Sequence, residues 1–492
     1  MSPRVFVREC SSSVVEPGHG REMNLTGFTS GTSGEEGGAR DAPKAVRGRV
    51  LHPAIDGNYL NLVGGSGVWV KDAEGREYLD SVAGVGVMAL GYGRLDLVEA
   101  ASMQAVRIPY VHSMRYRNDP QDELANRIAR IAPPGLTWSF FCSGGSEALE
   151  SAVKLVRLYW LERDEPTRWK VIGRRPSFHG NTLMALSVGY HASRRAPYEP
   201  LLTEMPHLRA PWIFHCTDHG QVGPWCRVCS GQALDDLIVK EGPESIAAFI
   251  VEPIAGAAAP GVTPPPGYYE TIRAICDRYG VLFISDEVMT GLGRTGCDWG
   301  IQHWDAVPDL IITAKGIGAG YTSIGAVIAH ERVIDVLRSG SGRFEHNFTM
   351  AGTPLACAVS CAVLDAYERE AIRGHVKTVA ETLRSELEEI KQQHPLVGDV
   401  RGKGLQIGVE LTRPGSTTPL PSTLKAVQLL NRLATDEGLL VYPCSGIVDG
   451  RIGDAILLLP PLVISEEECH EVVRRLGRAI TRLEAMILPQ LA

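Results

Sequence analysis

The chain has 492 residues, 44% of them hydrophobic and 22% charged, with 49 Lys plus Arg against 57 Asp plus Glu and a net charge of −8. This is globular composition with length for two domains, and the absence of a basic run or stripe argues against a nucleic-acid partner. No apolar run approaches the ~20 residues of a membrane span, no signal-peptide core opens the chain, and 11 scattered cysteines suit reduced thiols in a cytoplasm better than a disulfide framework.

Residues 1–45 are rich in Ser, Gly and charge, as in GFTSGTSGEEGGARD, and read as a disordered or weakly docked extension. Globular patterning starts at Gly57. Alternation in Val68–Lys71, a turn over Asp72–Gly75 and then Glu77–Asp80 predict a hairpin. SVAGVGVMALGYG follows, dense enough in glycine for the backbone to approach a ligand, but without the GxGxxG pattern of a dinucleotide site. Trp138–Cys142 predicts a buried strand running into SGGSEALESAVKLVRLYWLE, where Ala148, Ala152, Leu155 and Val156 share a helical face. Strand, Ser-Gly-Gly-Ser, helix is a phosphate-binding arrangement, because free N–H groups at a helix start face an anion and small residues admit it. It equally describes a plain helix start capped by Ser146.

The same grammar repeats. KVIG at 170–173 leads to PSFHGNT, Ile246–Val251 ends in Glu252-Pro253, Val281–Ser285 ends in Asp286, and Leu310–Ala314 ends in Lys315. Amphipathic stretches such as Tyr268–Tyr279 lie between them. Alternating strands and helices predict an α/β fold with a mostly parallel, doubly wound sheet. Such sheets bind ligands beyond the C-terminal strand ends. Five ends share that rim: Ser143–Ser146, Phe178-His179, Glu252, Asp286 and Lys315. An Asp and a Lys there meet the needs of pyridoxal phosphate (PLP): the amine condenses with the cofactor aldehyde, and the carboxylate keeps the pyridine nitrogen protonated so that the ring draws electrons. As an isolated pair they read equally well as a surface salt bridge; the convergence of five ends favours a ligand site.

Beyond Ser339 the organisation changes. GSGRFEHNFTMAGTPLA is a loop entering a helix at Pro354, and helical patterning continues to about Glu389 with a break near Gly374. VGDVRGKGLQIGVEL predicts a strand pair, and Leu424–Glu437 and Glu466–Ala485 predict helices. The expected division is residues 46–105 as the N-terminal segment of a small domain, 106–345 as the large PLP-binding domain and 346–492 as the C-terminal small domain.

From about Leu51 onward, SGGSEALESAVKLVR, FHG, VEPI, DEVMTGLGRTG, AKGIGAGY and FTMAGTP resemble, in order, the signatures of the class III (omega) aminotransferases of PLP fold type I. The resemblance implies a large domain plus a smaller α/β domain built from the N- and C-terminal segments. It implies that Lys315 holds PLP and shuttles a proton between substrate Cα and cofactor C4′. Asp286 would pair with the pyridine nitrogen, Val288 pack on one ring face and Phe178 stack on the other. Gly145 and Ser146 would bind the phosphate within a cup that includes Ser143 and Gly144, and Glu252 and His179 would support the site. Thr349 would reach the phosphate of a neighbouring subunit, giving a homodimer with shared sites. The implied reaction is a ping-pong transfer of an amino group, a terminal one, to a keto acid or aldehyde. An aminomutase or decarboxylase on the same fold, or a non-catalytic scaffold, remain alternatives.

Departures from the family's sub-patterns bear on substrate. Ornithine- and GABA-type members carry an Arg before the PPL motif and an acid shortly after the EP dipeptide; here those positions are Leu457 and Ala257. Joint loss avoids an unpaired charge and points to pyruvate/alanine over 2-oxoglutarate/glutamate. Amine–pyruvate members place a mobile Arg slightly earlier, at what is here Gly450; the adjacent Arg451 is the candidate carboxylate anchor. They also carry a Trp where this chain has Gly86, which would leave a roomier pocket. Finally, Cys216-x2-His219 and Cys226-x2-Cys229 have spacing that suits tetrahedral zinc. Cysteine-rich loops without a functional metal also occur at this place in related aminotransferases, and no metal is expected here.

Overall fold

The computed structural model describes residues 49–55, 57, 59–216 and 226–491. The chain divides into two compact units, residues 1–59 and 60–492. The extension expected over residues 1–45 lies outside the described residues, as does His219. The described part of the first unit carries only bends and a turn.

The second unit is organised on a seven-stranded sheet in the order Leu136–Cys142, Gly325–His330, Leu310–Thr313, Leu282–Asp286, Ile246–Val251, Lys170–Arg175, His207–Arg209. Ile246–Val251, Leu282–Asp286 and Leu310–Thr313 are buried along their whole length, as parallel strands covered on both faces must be. Their side chains alternate between two cores. Phe249, Val251, Phe283 and Ile311 face one side and pack with Tyr268, Tyr269 and Ile272 of helix Tyr268–Tyr279. Ile250, Leu282, Ile284, Leu310 and Ile312 face the other and pack with Ala148, Ala152, Leu155 and Val156 of helix Gly145–Leu161. A period of two in the strands and of 3.6 in the helices thus makes one three-layer α/β body.

Two features depart from the sequence reading. Gly325–His330 runs antiparallel to both its neighbours, while the other pairings in this sheet are parallel. Leu136–Cys142, expected to be buried, is a sheet edge with Trp138 47% exposed. The inserted strand keeps the C-terminal ends of the parallel strands, including Leu136–Cys142, on one rim.

Two smaller sheets complete the unit. In one, Trp69–Asp72 pairs with Glu77–Asp80 in the register Trp69↔Leu79, Val70↔Tyr78, around Gly75 at φ +86°. Leu439–Leu440 then joins in parallel, tying the C-terminal part of the chain to the N-terminal hairpin. The other is antiparallel: Val397–Lys403, Gln406–Leu411, Ile452–Leu458, Tyr442–Val448. Helices Ile372–Gln393, Ala426–Asp436 and Glu466–Ile487 cover these sheets through one apolar cluster. The helix break expected near Gly374 falls at Ala371, whose left-handed φ of +47° separates helix Pro354–Arg369 from the next. Gly374 itself sits in the following helical turn, where a glycine is tolerated. Among the described residues no helix is long and apolar enough to cross a membrane.

Candidate active site

A cavity of about 370 Å³ opens on the C-terminal rim of the central sheet. Gly145, Ser146, Phe178, His179, Glu252, Asp286, Val288 and Lys315 line it together with Val85, Ala257, Met289, Arg194 and Tyr442. Four of the five predicted strand ends therefore contribute side chains directly, and the Ser143–Ser146 turn contributes its second half.

Lys315 starts the short 3₁₀ turn that follows strand Leu310–Thr313. Its φ is +49°, a conformation that costs a non-glycine residue about 1–3 kcal/mol unless its surroundings impose it. Its carbonyl accepts from the N–H groups of Gly318 at 3.1 Å and Ala319 at 3.0 Å, which holds the turn. Burial pushes its ammonium down to about 8, while Asp286 and Glu252 pull the other way. A desolvated lysine of this kind is partly neutral near physiological pH and so available as a nucleophile or proton carrier.

Asp286 is 4% exposed. Its Oδ2 lies 2.6 Å from His179 Nδ1, and its Oδ1 accepts from the Val288 N–H at 3.1 Å. The His179 side chain is fully buried and its Nε2 has no partner among the described residues. A carboxylate oxygen has two lone pairs, so this aspartate keeps acceptor capacity toward the cavity while its plane is held. Glu252 is a brace. Its Oε1 accepts from the Phe178 N–H at 3.0 Å and its Oε2 from the Gly256 N–H at 2.7 Å, and burial raises its pKa. It ties the Phe178 loop to the Glu252–Ala257 loop across the cavity floor.

The Ser-Gly-Gly-Ser turn is built for close approach. The helix begins after Gly144, which gives no side-chain cap, so Ser146 is not the N-cap. Its hydroxyl instead accepts from the Asn181 N–H at 3.1 Å. A Cβ on Gly145 would stand 3.1 Å from both Val288 methyls, and one on Gly180 would stand 2.4 Å from Ser146 Oγ. Small residues at a helix start leave room for an anion. Ser143 and Gly144 border this turn without lining the cavity, and the Ser143 N–H donates to Glu147 at 2.7 Å.

The substrate-side expectations separate. Ala257 lines the cavity, whereas Gly86 lies one residue beyond the lining residue Val85. A Cβ on Gly86 would reach Leu459 and Met289 at 3.9 Å. Arg451 is exposed in the turn before strand Ile452–Leu458 and does not line the cavity, and Gly450 shares that turn. Leu457 is fully buried beside Trp212 and Ala255. Thr349 is exposed on the loop before Pro354. Arg194 is the cationic lining residue that sequence reading missed. Its guanidinium lies 4.7 Å from the Phe178 ring centre and donates to the Tyr442 hydroxyl at 3.3 Å. The adjacent Arg195 is spent on the carbonyls of Leu186, Ser187 and Gly189. Two neighbouring arginines in HASRRAP carry no local signal of which one faces a ligand. Elsewhere, the sulfurs of Cys216, Cys226 and Cys229 lie within 4.8 Å of one another.

The class-III aminotransferase family model matches residues 54–480. The chain is a class-III aminotransferase. A probable aminotransferase of Mycobacterium tuberculosis is 36% identical over 442 residues, 88% of this chain and 90% of that protein. The putrescine–pyruvate aminotransferase of Pseudomonas aeruginosa is 33% identical over 89% of this chain and 95% of its own. The diaminobutyrate–2-oxoglutarate transaminase of Halomonas elongata is 32% identical over 86% and 90%. Among solved structures, an (S)-enantioselective omega-transaminase from Thermomicrobium roseum superposes with a TM-score of 0.82 at 36% identity, covering 88% of this chain and 96% of that one. A PLP-bound amine transaminase from an uncultivated Pseudomonas species gives 0.80 at 31% identity, covering 89% and 99%. The family implies PLP for this aminotransferase. The residues fit it: a half-buried lysine and a braced carboxylate share one cavity, and a glycine-containing helix start also lines it.

Proposed function

We propose that this aminotransferase moves an amino group from an amine, preferably a terminal one, to a small keto acid or aldehyde by a ping-pong mechanism on PLP. The arrangement of Lys315 and Asp286 in one cavity, with Glu252 and His179 bracing it, carries the reading. PLP, when bound, supplies the electron sink that makes the proton next to the amine nitrogen removable. Lys315 would hold the cofactor, and its Nζ would carry the proton taken from the substrate carbon. Asp286, oriented by His179, would keep the ring nitrogen protonated. Phe178 and Val288 would hold the ring, and Gly145 and Ser146 would receive the phosphate, with Ser143 and Gly144 shaping their turn. Thr349 of the partner subunit completes the phosphate site in a homodimer. One cavity serves both half-reactions, so the first keto or aldehyde product leaves before the acceptor enters.

Pyruvate is the favoured acceptor. Among the described lining residues, the cations are Arg194 and Lys315. With Lys315 committed to the cofactor, Arg194 can pair with one carboxylate, whereas a dicarboxylate calls for two partners. Arg194, rather than the exposed Arg451, is then the anchor. The missing side chain at Gly86, next to the cavity-lining Val85 and within reach of Met289, suits bulky amines. A glycine-for-tryptophan variant of a thermostable omega-transaminase with a TM-score of 0.80 at 30% identity was engineered for bulky amines.

The test is a half-reaction screen. Each donor is mixed with PLP-loaded enzyme, conversion to the pyridoxamine form is read by absorbance, and labelled nitrogen is followed into a second molecule. We expect bulky terminal amines and alanine to react. Lys315→Ala should lose at least about 10³-fold in turnover, the scale of losing a positioned proton carrier, while still binding PLP. Arg194→Ala should lose carboxylate-bearing donors and keep simple amines. Nitrogen retained within a single molecule would sink the reading in favour of an isomerase.

A further inference from the structure

The loop between Trp212 and helix Ala233–Glu241 holds a cluster that the amino-transfer site does not use. Cys216 closes the 3₁₀ turn Ile213–His215, and Cys226 and Cys229 flank the turn that leads into the helix. The three sulfurs lie within 4.8 Å of one another, and Cys216 Sγ is 3.4 Å from Cys226 Sγ. Cys229 is fully buried and Cys226 is 8% exposed. The Cys229 N–H donates to Cys226 Sγ at 3.4 Å, and the Ser230 N–H donates to the Cys226 carbonyl at 2.8 Å. That tight turn aims both sulfurs of the Cys-x2-Cys pair at one point, the geometry of a zinc knuckle.

Two thiolates bound to zinc at ~2.3 Å in a tetrahedron stand about 3.8 Å apart. The observed cluster, 3.4 Å for one pair and at most 4.8 Å for the others, lies within about 1 Å of that figure. In the same stretch the His215 Nε2 is paired with the buried Glu410 at 2.6 Å, so this imidazole is already committed.

We propose that Cys216, Cys226 and Cys229 bind a structural zinc ion, against the expectation from sequence that this loop is metal-free. The three thiols lose their protons on binding, and the fourth tetrahedral position goes to another donor. The metal staples the Trp212–Cys216 segment to the start of helix Ala233–Glu241. Trp212 packs in one cluster with Ala255 and Ala259, which flank the cavity-lining Ala257. The ion therefore steadies the outer wall of the substrate side without entering the chemistry.

The experiment uses the full-length holoenzyme, produced in zinc-supplemented medium and desalted. Elemental analysis should find about one zinc per chain, the occupancy of a structural site. Cys226→Ser and Cys229→Ser should each abolish it while keeping the PLP absorbance that reports a folded cofactor site. Should those variants fail to fold, cobalt(II) exchange into the unmodified protein gives an independent readout. A thiolate-to-cobalt charge-transfer band with tetrahedral d–d bands is expected. Absence of stoichiometric metal together with absence of that band overturns the proposal. So does zinc retained by both serine variants, or a Cys216–Cys226 disulfide found by mass spectrometry of the non-reduced protein.

Discussion

Lys315 is paid for in both backbone and charge: a left-handed φ and an ammonium pushed down to about 8 by burial. Below that pH the amine is protonated and cannot attack a carbonyl; above it the amine is neutral. The rate at which cofactor-free enzyme captures added PLP should therefore rise about tenfold per pH unit up to ~8 and then level off. Stopped-flow absorbance across pH 6 to 9 checks this. A lysine at its ordinary 10.5 would show no plateau in that range. The residues at this scale were legible where they follow a buried strand. Asp286 and Lys315 stand out because a charge directly after a β-branched apolar run has to leave the sheet at its rim. Arg194 was not legible, because it sits in a four-residue helix with no periodicity and owes its place to the packing of its neighbour Arg195. Arg451 was chosen by position in a motif, and a motif does not fix which way a turn residue points.

Among the elements, the last helix, Glu466–Ile487, was predictable within two residues because its apolar stripe is long and it carries its own start chemistry. Ser465 Oγ accepts from the Glu468 N–H at 3.2 Å, and Glu468 Oε2 accepts from the Ser465 N–H at 2.9 Å. Glu468 Oε1 also accepts from Trp69 Nε1 at 2.9 Å, linking the cap to the N-terminal hairpin. Ser465→Ala should cost about 1 kcal/mol, and Glu468→Ala should cost more because it strips a partner from the half-buried Trp69 as well. Urea denaturation curves of the two variants test the order. The strands Gly325–His330 and His207–Arg209 escaped sequence reading for opposite reasons. The first follows a glycine-rich turn over residues 318–321 that does not by itself say which way the chain will run, and the second is three residues long. Direction in a sheet is set by which neighbours are free to pair, which no single stretch records.

For the whole molecule, the relevant feature is the surface that the single chain leaves uncovered. Helix Leu95–Arg107 buries only Leu97 and Gln104. Met103 is 67% and Val106 91% exposed, and Tyr110, Met114 and Tyr116 continue the apolar run. An exposed apolar stretch of this length marks an interface, and we propose that a second copy of the chain covers it. The double variant Met103→Glu/Val106→Glu should run as a monomer in light-scattering chromatography at concentrations where the parent is dimeric. Its PLP affinity should fall with the loss of the partner subunit's Thr349. Full PLP affinity in a monomer would refute the shared phosphate site. The α/β class and its doubly wound core could be read from alternating apolar runs and amphipathic helices. The assembly could not, because exposure is a property of the folded surface.

The antiparallel strand Gly325–His330 has a further consequence, for the order of events during synthesis. Leu136–Cys142 is made first among the strands of the central sheet, yet its described sheet neighbour is Gly325–His330, nearly 200 residues later. The Gly144 backbone packs against Gly325, where a Cβ would meet the Gly144 carbonyl oxygen at 2.7 Å. A chain emerging from the ribosome can zip the parallel strands pairwise, but the strand that carries the Ser143–Ser146 turn has no described sheet partner until residue 330 is out. Contacts this distant in sequence slow folding and leave apolar strand edges open meanwhile. We infer that the cofactor-binding rim is completed late, when the strand that was made first is locked in.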